Sequence, residues 1–332
     1  MKIGLFTDIH IGLEGNSEFF HIENIKLANW IKNEFSKQKV KDIFILGDVF
    51  HNRKQINLES LKNAYDFFAI LQDFNIHILT GNHDCFYLDN SDVHSLSLLK
   101  GWKNISVYDS PTVLSNFGIS MIPWGTLLED IPEADYVFGH FEIAGFEMQG
   151  TLCEKGLKGA ELVKKAKRSV FSGHFHKPQI RNYGDKEVHY LGSPYQHNFG
   201  ERDEDKYIYT LDLDTHDLES FTNTISPKHF YVKQDETNFG KFENQIIRPI
   251  ITNPETQEEF MTKLKSVAPS YIKDAEFIME GDVKLNETIE DFQMSVFSED
   301  VKTFVGMMEV DSEEMRQKII QQTIELHDEV MS

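Results

Sequence analysis

Short runs of near-continuous Ile, Val, Leu and Phe punctuate the first half of the chain: residues 2–7 (KIGLFT), 42–47 (DIFILG), 76–81 (IHILTG), 136–139 (YVFG) and 169–173 (SVFSG). Their length and unbroken apolarity predict strands buried on both faces. Between them the period changes. Residues 17–36 carry Leu27, Ile31 and Phe35 at spacing four, and residues 57–72 carry Leu58, Leu61, Tyr65 and Phe68 at spacings of three and four. Each is the pattern of a helix with one apolar face. Strands alternating with helices predict an α/β layered fold. The stretch 186–232 reads as strands joined by turns. Beyond residue 240, NQIIRPIITN, PETQEEFMTKLKSVA and DAEFIMEGD read as strand, helix and strand, a small βαβ-like unit. From about residue 285 the chain is acidic and helical in pattern. Asp311 and Glu314 stand in capping-box positions before Met315, Ile319, Ile320 and Ile324, which share one side.

Polar residues recur where the five apolar runs end. Asp8 and His10 follow the first, Asp48 the second, Asn82, His83 and Asp84 the third, His140 the fourth, and His174 and His176 the fifth. In an open α/β sheet the ligand crevice lies at the carboxyl ends of the strands, so these side chains are expected to share one crevice. Gly47, Gly81, Gly139 and Gly173 stand just before the first polar group of four runs, where glycine permits positive φ and close backbone approach. Asp8 and His10, like His174 and His176, skip one residue. In an extended chain such a pair faces one way, leaving Ile9 and Phe175 for the core.

Oxygen and imidazole donors without cysteine suit Mn²⁺, Fe²⁺ or Zn²⁺. Asp8, His10, Asp48, Asn82, His140, His174 and His176 are too many for one ion and suit two. Two divalent ions with two ligand aspartates leave a net positive site, matched to a phosphodiester. Ions roughly 3.5–4 Å apart can clamp a phosphate and acidify water.

Composition bounds the rest. With 332 residues, 40% of them hydrophobic, the chain can build one large domain and a smaller addition. No window of eighteen or more apolar residues is present, so no membrane span is expected, and the N-terminus lacks a signal-peptide core. Cys85 and Cys153 are the only cysteines, too few for a disulfide framework, and suggest a reduced, cytoplasmic protein. The formal charge of −21 argues against loose binding of nucleic acid, so a polyanion needs a local basic patch, metal ions or a partner. One basic cluster stands out, Lys155, Lys158, Lys164, Lys165, Lys167 and Arg168, which reads as a solvated helix face or as a backbone-contact patch.

In order, DIH, GDVF, GNHD, GH and GHFH resemble the calcineurin-like metallophosphoesterase superfamily over roughly residues 1–200. More narrowly, the chain is similar to SbcD-type nuclease subunits of DNA repair and recombination complexes, including short phage and bacterial forms. His51 after GDVF, YLGSPYQ at 190–196 and the unit after residue 240 carry that resemblance. It implies a layered metallophosphoesterase β-sandwich flanked by helices over 1–235, an α+β capping domain over 240–284 and a helical tail over 285–332. It implies that Asp8, His10, Asp48 and His176 hold one metal ion and Asp48, Asn82, His140 and His174 the other, Asp48 bridging. Manganese is the implied ion, with Mg²⁺, Fe²⁺ or Zn²⁺ as alternatives. His83 would contact the scissile phosphate, Asp84 would orient His83, and His51 would place or strip the nucleic-acid end.

The resemblance further implies metal-assisted hydrolysis of DNA, as a 3′→5′ double-strand exonuclease and single-strand endonuclease. It implies an SbcC-type coiled-coil ATPase partner, docked on the apolar set Phe292, Val296, Val301, Phe304, Val305 and Met308 and the helix after it; packing on the chain's own core is the alternative. It also implies a homodimer, for which 57–72 and 91–100 are the candidate segments. Two other readings stay open: a small-molecule phosphodiesterase or protein phosphatase of the same fold, and a metal-free scaffold.

Overall fold

The computed structural model describes residues 1–277 apart from 88–90, 149, 268 and 274. The expected tail over 285–332, its apolar set and the end of the capping unit lie outside the described residues.

Two six-stranded sheets form the frame. The first runs Leu218–Thr222, Tyr207–Asp212, Lys2–Phe6, Asp42–Ile45, Asn75–Leu79, Ile105–Tyr108. The second runs Gln179–Tyr183, Lys186–Tyr190, Ala166–Gly173, Ala134–His140, Ile119–Ile122, Thr112–Leu114. The centre of each is parallel: Lys2–Phe6 with Asp42–Ile45 and onward to Asn75–Leu79, and Ala134–His140 with Ala166–Gly173 and onward to Lys186–Tyr190. This is the α/β metallophosphoesterase architecture expected from the sequence.

The period-two alternation of a strand explains why these runs are apolar throughout. Ile3, Leu5, Phe44 and Leu46 meet Phe138 and Phe171 in one core cluster that both sheets supply. Their neighbours Phe6, Ile43 and Ile45 turn the other way, toward Leu27, Ile31 and Phe35 of the helix Glu18–Lys37. Gly4 leaves room there, because a methyl at its position would stand 2.7 Å from the Phe35 ring. Val137, Val170 and Val188 of the second sheet enter a third cluster on its outer face.

The helix Leu58–Ile70 forms where the spacing predicts, opened by Asn57, whose side chain accepts the Ser60 N–H at 2.7 Å. Its buried face differs from the predicted stripe. Ser60, Asn63, Ala64, Phe67 and Phe68 are buried, whereas Leu58, Leu61 and Tyr65 are exposed, Leu58 by 83%. The tight helix–helix contact selects small and polar residues, with Asn24 donating to Asn63 at 3.2 Å, and leaves the longer apolar row to solvent.

A smaller parallel sheet joins His229–Lys233 to Ile246–Ile251, with Tyr271–Ile272 and Glu276–Phe277 on the far side of the latter. With the helix Gln257–Ser266 it buries Val232, Phe242, Ile247, Ile251, Phe260 and Leu264 together. Its first strand thus comes from before residue 235. The basic cluster lies on no long helix. It runs from Lys155 through the short strand Leu157–Lys158 and the single turns Gly159–Leu162 and Val163–Lys165 to the start of Ala166–Gly173, with Lys167 paired to Asp135 at 2.9 Å. No helix among the described residues is long and apolar enough to cross a membrane.

Candidate metal centre

The parallel strands of both sheets deliver their carboxyl ends to one place. Asp8 and His10 follow Lys2–Phe6, Asp48 follows Asp42–Ile45, Asn82 follows Asn75–Leu79, His140 closes Ala134–His140, and His174 and His176 follow Ala166–Gly173. The backbone stitches these ends together. Asp8 N–H donates to Gly47 O at 3.1 Å and His10 N–H to Asp48 O at 3.0 Å. His174 N–H donates to the Asp8 carboxylate at 3.2 Å, tying the second sheet to the first.

The pairing of Asp8 with His10 does not come from a pleated strand, as the spacing suggested. Asp8, His10, Asp48 and His174 all have positive φ, at 55°, 51°, 51° and 91°. These are left-handed positions beyond the strand ends, each costing about 1–3 kcal/mol for a non-glycine residue. Ile9 and Phe175 are nonetheless buried. Close approach sets the glycines: a methyl on Gly47 would stand 2.6 Å from His140 Nδ1, and one on Gly81 would overlap the Asp48 carboxylate.

Asp48 is the hub. Its Oδ1 accepts the His83 N–H at 2.8 Å. Its Oδ2 lies 3.4 Å from His10 Nε2 and 3.4 Å from His140 Nε2, one imidazole on each side. On the His140 side, Asn82 Oδ1 is 2.9 Å from both His140 Nε2 and His174 Nδ1. On the His10 side, His176 Nε2 stands 3.2 Å from His10 Nε2, and Asp8 Oδ1 lies 3.9 Å from His10 Nε2. Ligand atoms of Asp48, His140 and His174, and of Asp8, His10 and Asp48, each gather within 4.8 Å of one another.

The donor chemistry fits cations. His140 Nδ1–H donates to Leu46 O at 2.7 Å, so Nε2 is the nitrogen that faces the Asn82 oxygen and Asp48. His176 Nδ1 donates to Glu201 Oε1 at 3.0 Å, so Nε2 is the nitrogen that faces His10. Carboxylate and amide oxygens crowded with ring nitrogens in a buried site favour positive charge between them. Burial lowers the His140 pKa, but Asp48 outweighs it and holds the ring at about 9. A gap that retains a proton so firmly is one a metal ion can take. Burial, then the nearby His140, pushes His174 down to about 3, so that it presents a free lone pair.

His83 and His51 form a stacked pair at the rim, ring centroids 5.5 Å apart. His83 Nδ1 donates to His51 O at 2.7 Å, leaving Nε2 unencumbered, and His51 Nδ1 lies 3.2 Å from His10 Nδ1. The expectation that Asp84 orients the His83 ring is corrected. Asp84 turns inward, where Oδ1 accepts Val49 and Phe50 N–H at 3.1 Å each and Oδ2 accepts Gly81 N–H at 3.0 Å. Three backbone donors on loops of different strands capture the carboxylate before it can reach the imidazole. Burial and then the Asp48 charge raise it to about 7.

Three residues went unmarked in the sequence reading. Glu201 holds His176 through Oε1, and its Oε2 takes Lys206 Nζ at 2.8 Å. Burial opposes its charge, but His176, His197 and Lys206 hold its pKa well below the usual carboxylate range. Trp124 packs on His174 with centroids 5.0 Å apart. His197 packs against both His10 and His176, at centroid distances of 5.0 and 4.5 Å, and the three rings form a triangle. A signal existed for two of them: the strand Lys186–Tyr190 also runs into a glycine, Gly192, and His197 and Glu201 follow it.

These two facing sheets, with aspartate, histidine and asparagine gathered at shared strand ends, define a two-metal phosphoester hydrolase. The sequence model of the calcineurin-like phosphoesterase superfamily domain matches residues 1–216, and the chain belongs to that superfamily. No curated protein matches the chain. Among solved structures, it is similar to a dimetal phosphatase from Danio rerio, 12% identical with a TM-score of 0.39, over 63% of this chain and 91% of that one. It is also similar to the nuclease MPE of Pseudomonas putida, 17% identical with a TM-score of 0.32, over 62% of this chain and 82% of that one. Neither likeness bears on the substrate.

Proposed function

We propose that this chain is a metal-dependent DNA nuclease, the SbcD-type subunit of a repair or recombination complex. The observation that carries the reading is the His51–His83 pair beside the metal centre, with His83 Nδ1 fixed by a carbonyl and Nε2 turned free. Bound at the two donor sets, Asp8, His10, Asp48 and His176 on one side and Asp48, Asn82, His140 and His174 on the other, two divalent ions would supply positive charge to a phosphodiester and acidify water. Manganese is the ion the motifs favour.

The chain's own groups do the rest. Asp48 holds both donor sets at one separation through a single carboxylate. His83 offers an N–H from Nε2, when protonated, to the leaving oxygen, and its Nδ1 bond keeps the ring from turning away. His51 fixes His83 through its carbonyl, while its own ring flanks the nucleic-acid end. Trp124 covers His174 and keeps water from that side. Asp84 acts one step back, clamping the loops that carry Asp48 and Asn82. The products proposed are 5′-phosphorylated nucleotides released 3′→5′ from duplex ends, together with endonuclease cuts in single strands.

A chain of charge −21 holds DNA poorly by itself. An SbcC-type ATPase is the proposed source of grip, and the exposed Leu58, Leu61 and Tyr65 the proposed contact with a second copy. The test is digestion of linear duplex with Mn²⁺, with and without a co-purified coiled-coil ATPase, beside turnover of nitrophenyl phosphates. Mononucleotide release supports the nuclease; activity on the small esters alone defeats it.

A further inference from the structure

His197 is 3% exposed, and neither ring nitrogen has a hydrogen-bond partner. A neutral imidazole has one N–H to give and one lone pair to offer, and burying both unused costs several kcal/mol. Among the described residues it is the one histidine left with both nitrogens buried and unpartnered; His94 and His77 each leave one. Such an orphan at a functional site points to a missing partner.

Its surroundings name that partner. His10, His176 and His197 each bring a ring nitrogen within 4.8 Å of the others. Glu201 holds two of the three: Oε1 takes His176 Nδ1 at 3.0 Å and Oε2 takes the backbone N–H of His197 at 3.1 Å. The Tyr195 ring lies 4.6 Å from that of His197, centroid to centroid, and Tyr195 O–H is anchored on Ile9 O at 2.8 Å. A sixth strand end therefore brings an imidazole to the pole of the site where His10 and His176 already meet.

We infer that His197 is an additional nitrogen ligand of the metal position built on His10 and His176. That position then holds three imidazoles beside Asp8 and Asp48. Such a nitrogen-rich set takes a borderline first-row ion such as Fe²⁺, Co²⁺ or Zn²⁺ in preference to Mg²⁺. The Asn82, His140 and His174 position keeps two imidazoles and stays the less selective of the two. The inference rests on the two-metal reading of the site.

Metal binding by the full-length protein tests it. Metal-free wild type, His197→Phe and His197→Gln are titrated with Co²⁺, whose visible absorption reports ligand type and number, and their metal-free melting is recorded. Wild type should bind two equivalents. In the variants one equivalent should weaken about tenfold or more, the size of effect expected when a site loses a supporting group. The absorption should change, and metal-free melting should hold or rise, because His197→Phe removes two unpartnered atoms. Unchanged Co²⁺ affinity and spectrum in His197→Phe overturns the inference, with His197→Gln deciding if the first does not fold. Loss of folding in both metal-free variants also overturns it, since His197 is then a packing residue. Should wild type bind no Co²⁺, the two-metal reading falls; should wild type bind two and the variants match it, this inference alone falls.

Discussion

His83 and Asp48 share a hydrogen bond, yet their substitutions should separate cleanly. His83→Gln keeps the backbone N–H that Asp48 Oδ1 accepts and leaves every ligand in place. Two metal equivalents should remain while kcat on DNA falls about 10²–10⁴-fold, the range for removing a general acid. Full activity with both metals bound would remove His83 from the chemistry. Glu201→Gln should act through His176: an amide holds the ring less firmly, and affinity for one metal should drop about 10–100-fold, as isothermal titration would show. Gly81 depends on space rather than charge. In Gly81→Ala the added methyl has nowhere to go but into Asp48, so metal uptake should fall more than melting temperature does; equal affinity in the two proteins would contradict the close packing of Gly81 on Asp48.

At the scale of elements, the strands gain their stability by facing two cores at once. Phe44 lies in the core between the sheets and is fully buried. Phe44→Ala should lower unfolding free energy by about 3–5 kcal/mol, measured by urea titration of metal-free protein. The smaller sheet adds a pH signature. His229 at its first strand is buried against Phe199, with centroids 4.8 Å apart, and its N–H donates to Gln196 Oε1 at 2.7 Å. Burial, only partly offset by Glu201, pushes His229 down to about 4. The unfolded chain takes up that proton near pH 6.5, before the folded one does, so stability declines as pH falls from about 6.5 to 4 and is unaffected above. The loss is at most about 3 kcal/mol. His229→Gln should flatten the acid limb of urea midpoint against pH; parallel limbs would refute it.

For the whole molecule, charge and exposed apolar surface pull in different directions. A net charge of −21 repels DNA beyond the reach of any local patch, and Lys167, one member of the basic cluster, is already paired with Asp135. Binding of a fluorescent duplex by the isolated chain should be weaker than about 10 µM at physiological salt, and tighter only with the ATPase present. Leu58 and Tyr65 are 83% and 61% exposed, and both stand off the buried face of their helix. Leu58→Glu with Tyr65→Glu should leave the melting temperature within a degree or two, while sedimentation shifts from dimer to monomer. A wild type that sediments as a monomer at micromolar concentration would dispose of the dimer.

What the chain dictates locally is extensive. Near-continuous apolar runs read as strands covered on both sides, and a ligand-type side chain after each of five runs, with glycine before it in four, marks where the strands end and what they carry. Those signals depend on neighbours in sequence, so strands, helix positions and the seven ligand-type residues were legible. Other features depend on what lies opposite. The buried side of Leu58–Ile70 was set by the helix it meets, not by its most apolar row. Asp84 was taken by Val49 and Phe50 N–H from another loop and Gly81 N–H from its own, and His197 and Glu201 acquired meaning only when the strand Lys186–Tyr190 came to lie beside Ala166–Gly173. Periodicity registers burial and spacing along one segment; which polar atoms meet is decided by register between segments, and only the folded chain sets that.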